Sequence, residues 1–308
     1  MIDILLATCN GERYLGEQMD SLLSQTERGF CVILQDDGSA DSTPALLAAY
    51  ADADPDRVRI VSGLPHEKSA RGNFMSLLSQ SDADYVMFCD QDDVWDKDKV
   101  SLTLARMREG EARYGARCPL LVHTDLQVVD AQLRPIAPSF LRYQKLDALP
   151  SLSRLLAQNS ITGCAMMVNR PLAALMRKAT AGDMLMHDWW AALCAASMGQ
   201  LLFVDRPTIC YRQHGGNQLG ASGFHAARDV QKAVRGGVEV RQRLMATFRQ
   251  AGAFLACYEE VLPRDKAEII RRYAALPSRA KAARIWGLAR RGHLKKGVLR
   301  SLGQLYYC

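Results

Sequence analysis

The sequence predicts an α/β protein: a mostly parallel sheet flanked by helices, followed by a helical, basic C-terminal extension. Three observations carry this. Short, uniformly apolar runs alternate with helix-period segments through the first 95 residues, the pattern of successive βαβ units. The runs lack polar alternation, as expected of strands covered on both faces. Residues 264–308 hold 12 Lys/Arg against 2 Asp/Glu, whereas the rest of the chain holds 27 against 31. The net charge of +6 thus divides into a mildly acidic body and a basic tail, an asymmetry that points to an anionic partner surface.

The elements follow in order. Residues 2–7 read as a buried strand, and Leu15, Met19, Leu22 and Leu23 recur at helical spacing, giving a helix over 14–26. Residues 31–35 are a second strand. Asp41 and Ser42, just before Pro44, open a second helix, with proline in the first turn where its missing N–H costs nothing. Strands are expected at 58–61 and 85–89, with a helix beginning at 73–78 between them. Beyond Asp93 the pattern predicts a helix at 97–109, strands at 120–129 and 163–168, a helix at 187–198, and strand-like runs at 201–204 and 208–211. Helix is expected over 225–258 and again over 264–300.

Composition bounds the class. The 308 residues are 48% hydrophobic and 23% charged, ordinary globular usage that argues against disorder. The longest mostly apolar run, 191–204, is interrupted by Ser197 and Gln200 and is too short to span a bilayer. Met1 leads straight into the first strand with no basic leader or cleavage site, so no secretory signal is expected. Nine scattered cysteines without a Cys-x-x-Cys pair fit reduced thiols in the cytosol.

Acidic groups gather at the predicted carboxyl ends of strands, in Asp36-Asp37-Gly38-Ser39 and Asp90-Gln91-Asp92-Asp93. Ligands bind at that edge of an open parallel sheet. Three carboxylates within four residues repel one another unless a cation sits between them, and Mg²⁺ or Mn²⁺ takes oxygen ligands while bridging to phosphate. The competing reading is a helix N-terminus, which also favours Asp. Asp-Gly-Ser is good turn chemistry, and Asp36 suits the turn better than Asp37 does.

The ordered set Ala7-Thr8-Cys9-Asn10-Gly11-Glu12, Ser24-Gln25-Thr26, Asp36 to Thr43 and Asp90-Gln91-Asp92-Asp93 resembles family-2 glycosyltransferases. The later segments His123-Thr124-Asp125, Thr162-Gly163-Cys164, 186–190 and 211–217 resemble the bacterial rhamnosyltransferases of O-antigen, lipopolysaccharide core or wall rhamnan synthesis. One departure is Cys9, where that family usually has Tyr before the Asn. The resemblance implies a Rossmann-like GT-A fold over residues 1–220, with a nucleotide-binding half at 1–95 and an acceptor half at 96–220, and a C-terminal extension at 221–308. It implies an inverting, metal-dependent transfer from a nucleotide-diphospho-sugar, dTDP-rhamnose favoured, to a saccharide or lipid-linked acceptor.

The same resemblance implies roles. Thr8, Asn10, Glu12, Asp37, Arg71, Asp90 and Arg212 would hold the donor, Asp37 by accepting the imide N–H of uracil or thymine. Asp90, Asp92 and His214 would hold Mg²⁺ or Mn²⁺. Asp188 would be the base that deprotonates the acceptor hydroxyl, with its pKa raised by Trp189 and Trp190; His187 is the poorer candidate. Each role has a plainer reading: Asp188 as a helix cap beside two core tryptophans, Arg71 as a surface arginine, His214 as a structural histidine.

In the tail, ten Lys/Arg between Arg271 and Arg300 are interleaved with Ile285, Trp286, Leu288, Leu294, Val298 and Leu299. That pattern suits an anionic membrane surface, with the enzyme peripheral on the inner face of the cell membrane; the alternative is a solvated helix packed on the body. Nucleic acid is not an expected partner, because the body is acidic and carries no nucleic-acid module. A sugar nucleotidyltransferase would want a Gly-rich phosphate loop, and the N-terminal loop offers Gly11 alone.

Overall fold

The structure, a computed structural model, describes residues 1–62, 67–215 and 237–308. Strand β1 (Ile2–Thr8) is its centre. Ile4, Leu5 and Leu6 are fully buried, and their alternation sends Leu5 to one side of the sheet and Ile4 and Leu6 to the other. Strands β2 (Phe30–Asp36) and β4 (Tyr85–Cys89) flank β1 in parallel, and β3 (Val58–Ile60) continues beyond β2. Helices α1 (Leu15–Leu23), α2 (Thr43–Ala53) and α3 (Ala70–Ser79) make the crossovers. Ser69 caps α3, its Oγ accepting the Gly72 N–H at 3.1 Å. The chain leaves β1 toward β2 and β3, then returns on the other side to β4. The reversal between β1 and β4 opens a crevice at the strand ends.

The second half is mixed rather than parallel. After β5 (Val94–Trp95) and α4 (Lys99–Tyr114) come β6 (Leu120–Val129) and β7 (Pro135–Ala137). Strand β8 (Met166–Asn169) lies antiparallel between β4 and β6. The expected strand at 163–168 begins instead as a 3₁₀ turn over Gly163–Ala165. The two runs expected near 201–204 and 208–211 form one strand, β9 (Gln200–Arg212), parallel to β6. Its register shifts beside Asp125 and Pro207, because proline offers no ladder N–H. The order is β3-β2-β1-β4-β8-β6-β9-β5, with β7 on β6.

Short helices α5 (Phe140–Gln144), α6 (Leu152–Ala157) and α7 (Arg170–Met176) were not expected from periodicity; each starts on a side-chain cap, from Ser139, Ser151 and Asn169. Helix α8 (His187–Met198) matches its expectation. The expected 264–300 helix is broken into α10 (Arg264–Ala274), a 3₁₀ turn at Leu276–Ser278, α11 (Lys281–Arg290) and α12 (Val298–Tyr307), preceded by α9 (Gly237–Tyr258). Pro277 ends the first piece. Gly292 and Gly297, at φ 71° and 98°, turn the chain where other residues would be strained. Ile270, Tyr273 and Leu288 are buried with Trp190, Phe248 and Phe254 in one core, so the tail packs on the body. Residues 225–236 of the expected 225–258 helix, with Gly216 and Asn217, lie outside the described residues. No helix among the described residues is long and apolar enough to cross a membrane.

Candidate active site

The crevice between the ends of β1 and β4 is an open cleft of about 520 Å³. Its wall includes Thr8, Asp37, Asp90, Asp92, His187 and Asp188. Each arrives from a strand end or a helix start: Thr8 from β1, Asp37 from just past β2, Asp90 and Asp92 from just past β4, His187 and Asp188 from the first turn of α8.

The two acidic loops are rigid for different reasons. Asp36 turns inward. Its carboxylate accepts Thr8 Oγ1 at 2.9 Å, Gly38 N at 3.0 Å, Ser39 N at 2.8 Å and the Ser39 hydroxyl. The turn therefore belongs to Asp36, leaving Asp37 on the cleft wall. The β1–α1 loop is stitched to it: Asn10 Oδ1 accepts Ala40 N at 2.8 Å, Glu12 Oε2 accepts Ser42 N at 2.9 Å, and Gly11 N donates to Thr43 Oγ1 at 2.8 Å. Asn10 itself sits at φ 50°. On the other side Gln91 pairs reciprocally with the Cys9 backbone, accepting its N–H at 2.8 Å and donating to its carbonyl at 3.0 Å. A Cβ at position 11 would stand 2.3 Å from Gln91 Oε1, so Gly11 lets the two strand ends close together.

Asp188 is held by three N–H donors: Asn159 Nδ2 at 3.1 Å, Gly163 N at 3.2 Å and Trp189 N. Burial nevertheless pushes its pKa up to about 7, outweighing these bonds. Asp90 is also pushed up to about 7, first by burial, then by the charges of Asp92 and Asp188. Both keep part of their surface open to the cleft. His187 is 3% exposed between the rings of Phe74 and Phe88, at 4.2 and 4.8 Å, and burial pushes its pKa down to about 3. A neutral imidazole with neither nitrogen hydrogen-bonded is not the better proton acceptor, given a carboxylate poised near neutrality beside it.

The tryptophans take the core positions of the plainer reading. Trp190 is buried, donating Nε1–H to Tyr258 Oη at 2.9 Å, and Trp189 Nε1 donates to the Leu155 carbonyl at 2.6 Å. Neither lines the cleft; they anchor α8 in the core.

Among the expected donor contacts, Asn10, Glu12, Arg71 and Arg212 stand outside the cleft wall. Arg71 pairs with Glu67 and donates to the Met184 carbonyl at 2.8 Å. Arg212 is 1% exposed. Its guanidinium donates to the Asp92 and Ala131 carbonyls, both at 2.8 Å, and to Glu17, and lies 4.5 Å over the Tyr14 ring. Sequence reasoning does not find Asn159, which holds Asp188, or Lys68, which lines the cleft. Asn159 lies 29 residues before the Asp188 it bonds, a distance no local pattern signals.

His214 Nε2 lies 2.7 Å from Asp92 Oδ2. Asp90 and Asp92 share the cleft wall, and His214, outside that wall, reaches it only through Asp92; two carboxylates and an imidazole are donor types that suit Mg²⁺ or Mn²⁺. The mutual repulsion raising Asp90 is what a cation would relieve. Asp90, Asp93 and Cys164 are packed more tightly, their ligand atoms within 4.8 Å of one another. There, however, Asp93 faces inward, accepting Arg212 N at 3.0 Å. Burial and the carboxylates raise the Cys164 thiol well above its ordinary range, and a protonated thiol is a poor ligand for a hard cation.

The glycosyl transferase family 2 model matches residues 3–118. The chain is 26% identical over 229 residues to the dTDP-rhamnosyl transferase RfbG of Shigella flexneri, covering 70% of this chain and 74% of that one. It is 28% identical over 171 residues to the putative teichuronic acid biosynthesis glycosyltransferase TuaG of Bacillus subtilis, covering 55% and 62%. Among solved structures it resembles TarS 1-349 of S. aureus in complex with UDP, with TM-score 0.55 at 14% identity over 90% of this chain and 91% of that one. It also resembles the mannosyltransferase PcManGT of Pyrobaculum calidifontis in complex with GDP-Man and Mn²⁺, with TM-score 0.56 at 17% identity over 94% and 72%. These likenesses establish the GT-A fold. The family match spans both strand-end loops that bring Asp37, Asp90 and Asp92 to the crevice; residues 3–118 are similar to glycosyl transferase family 2, and the chain is a nucleotide-sugar glycosyltransferase.

Proposed function

We propose that the cleft takes a nucleotide-diphospho-sugar, dTDP-rhamnose first among donors, and transfers the sugar with inversion to a hydroxyl of a bacterial surface saccharide or lipid-linked acceptor. One observation carries the reading: Asp37, Asp90, Asp92 and Asp188 converge on a single cleft at the switch point of the sheet. The rhamnose assignment draws support from the 26% identical relative, which is named as a dTDP-rhamnosyl transferase.

Asp37 accepts the imide N–H of the pyrimidine. Asp90, Asp92 and His214 are the residues to hold Mg²⁺ or Mn²⁺, which when bound neutralises charge developing on the diphosphate. Asp188 removes the acceptor proton as that oxygen attacks the anomeric carbon from the face opposite the leaving group. Asn159, Gly163 and Trp189 aim its carboxylate through the bonds described above. Thr8, Asn10 and Glu12 contribute by fixing the loop that carries Asp37, and Arg71 and Arg212 by bracing the cleft's margins. A cytoplasmic site at the inner face of the membrane suits a lipid-linked acceptor, and the basic tail supports it.

The test is a thermal-shift panel of nucleotide-sugars with Mn²⁺ present, since a true donor stabilises by mass action. We expect dTDP-rhamnose to raise the melting temperature more than UDP- or GDP-sugars. No shift with any donor would sink the reading.

A further inference from the structure

Helix α12 is apolar on two sides: Leu305 packs against the core, and a second apolar row faces outward. Val298, Leu302 and Tyr306 fall on one stripe at i, i+4 and i+8, and are 76%, 57% and 69% exposed. Its polar residues turn inward instead. Gln304 is buried, accepting Lys295 N and donating to the His293 carbonyl, both at 2.9 Å. Arg300 donates to the Gln144 carbonyl at 2.6 Å and to Gln144 Oε1 at 3.0 Å. The neighbouring helix α11 meets the stripe through Lys281, over the Tyr306 ring, and carries Trp286, 62% exposed beside Arg272 and Arg291. A solvated surface helix would show the opposite pattern. No described residue covers the stripe.

Charge identifies what does. From residue 269 to the end there are ten Lys/Arg and no Asp/Glu; Arg271 and Arg272 pair with Glu268 and Lys296 with Asp147, leaving seven outside these ion pairs. The exposed aromatics carry cations: Lys281 Nζ lies 5.4 Å from the Tyr306 ring centre, and the Arg290 guanidinium 5.2 Å from that of Trp286. A second copy of this face would bring like charge against like charge. An anionic bilayer offers the complement: an apolar layer for the stripe, phosphates for the cations, and an interface where aromatic rings settle.

We infer that the face formed by α11 and α12 docks on a bilayer containing anionic phospholipid, with Val298, Leu302, Tyr306 and Trp286 entering the headgroup boundary. This deepens the membrane reading given above and changes its residues. Leu288 is buried in the core and Ile285 and Leu294 pack against it, so the docking surface comes from the tertiary arrangement and not from one amphipathic helix.

The test uses the full chain and flotation with phosphatidylcholine vesicles, with and without phosphatidylglycerol, at low and high salt. Wild type is expected to float with the anionic vesicles at low salt and to be released by salt. The triple variant Val298→Ser/Leu302→Ser/Tyr306→Ser is expected to bind at least roughly tenfold more weakly. Neutralising Lys281 or Arg290 should cost roughly fivefold each. All three changes lie at the surface, so melting temperature and nucleoside diphosphate binding should be unchanged; measuring these on the same samples separates this inference from the transferase reading. Quenching of Trp286 by brominated lipid, with Trp286→Phe as the blank, reports insertion in the unaltered stripe. Equal flotation of wild type and triple variant, or no preference for anionic vesicles, overturns the inference. So does a wild-type dimer that ignores vesicles and that the triple variant dissolves, which would give the face to a second copy.

Discussion

Replacing Asp188 by Asn separates proton transfer from everything else the residue does. The change keeps the size of the side chain, and Oδ1 still accepts the Asn159 and Trp189 N–H groups. The new amide NH₂ then faces the Gly163 N–H, which Oδ2 accepts at 3.2 Å in the native chain. One hydrogen bond is lost, at a cost of about 1–3 kcal/mol. A gain opposes it. Asp188 is pushed up to about 7 by burial and itself helps to raise Asp90, so the neutral amide removes both a buried ionisation and a repulsion. A carboxyl raised in the folded state binds its proton more tightly there than in the unfolded chain, so wild type loses stability as pH climbs from about 4 to about 7. The variant escapes that loss, and its stability deficit should shrink over this window in denaturant titrations. Turnover should fall by about 10²–10⁴, the usual worth of general base catalysis, while donor affinity stays within a few-fold. The wild-type rate should rise with pH through about 7, because the acting form is the carboxylate, and the variant should lack that limb. Single-turnover transfer with calorimetric donor binding on the same preparations is the assay. Transfer within a few-fold of wild type, or an unchanged pH limb in the variant, would refute the assignment of the base.

Three further outcomes are expected. Nucleoside diphosphate should bind far more tightly with Mg²⁺ or Mn²⁺ than with EDTA, and Asp92→Asn should erase most of the difference; equal calorimetric affinities in both buffers would remove the metal from Asp90, Asp92 and His214. In Gly163→Ala the new Cβ would stand 2.7 Å from His187 Nε2 and 3.6 Å from Asp188 Cβ. That should cost about 1–3 kcal/mol of stability and lower transfer more than donor affinity, so a variant with native kinetics contradicts the tight packing of the 3₁₀ turn on α8. Arg212→Lys should lower the denaturation midpoint by the equivalent of about 1.5–3 kcal/mol, since lysine cannot reproduce the charged hydrogen bonds to Asp92, Ala131 and Glu17; a native midpoint with weakened nucleotide binding would make Arg212 a ligand contact instead of a brace.

The sequence by itself determined the nucleotide half. Short, uniformly apolar runs rich in β-branched and aromatic residues read as strands covered on both faces, and their alternation with helical segments favours parallel crossovers, so β1 to β4 and the acidic loops at their ends followed from local chemistry. Asp36 as the turn residue and Asp37 as the cleft residue followed likewise, because an Asp-Gly-Ser turn consumes one carboxylate in its own backbone. Tertiary structure decided the rest. That β8 runs antiparallel, that β9 is one strand around Pro207, and that the tail is three helices broken at Pro277, Gly292 and Gly297 depend on which neighbours supply hydrogen bonds and cover. A tryptophan reads the same in sequence whether it faces sugar or core; the partners of Trp189 and Trp190 in Leu155 and Tyr258, 34 and 68 residues away, settled it. Asn159 and Gly163 reach Asp188 from 29 and 25 residues away. The pKa of Asp188 was legible in direction, and its cause is burial, because desolvation is a property of everything packed around a group and not of its chain neighbours alone.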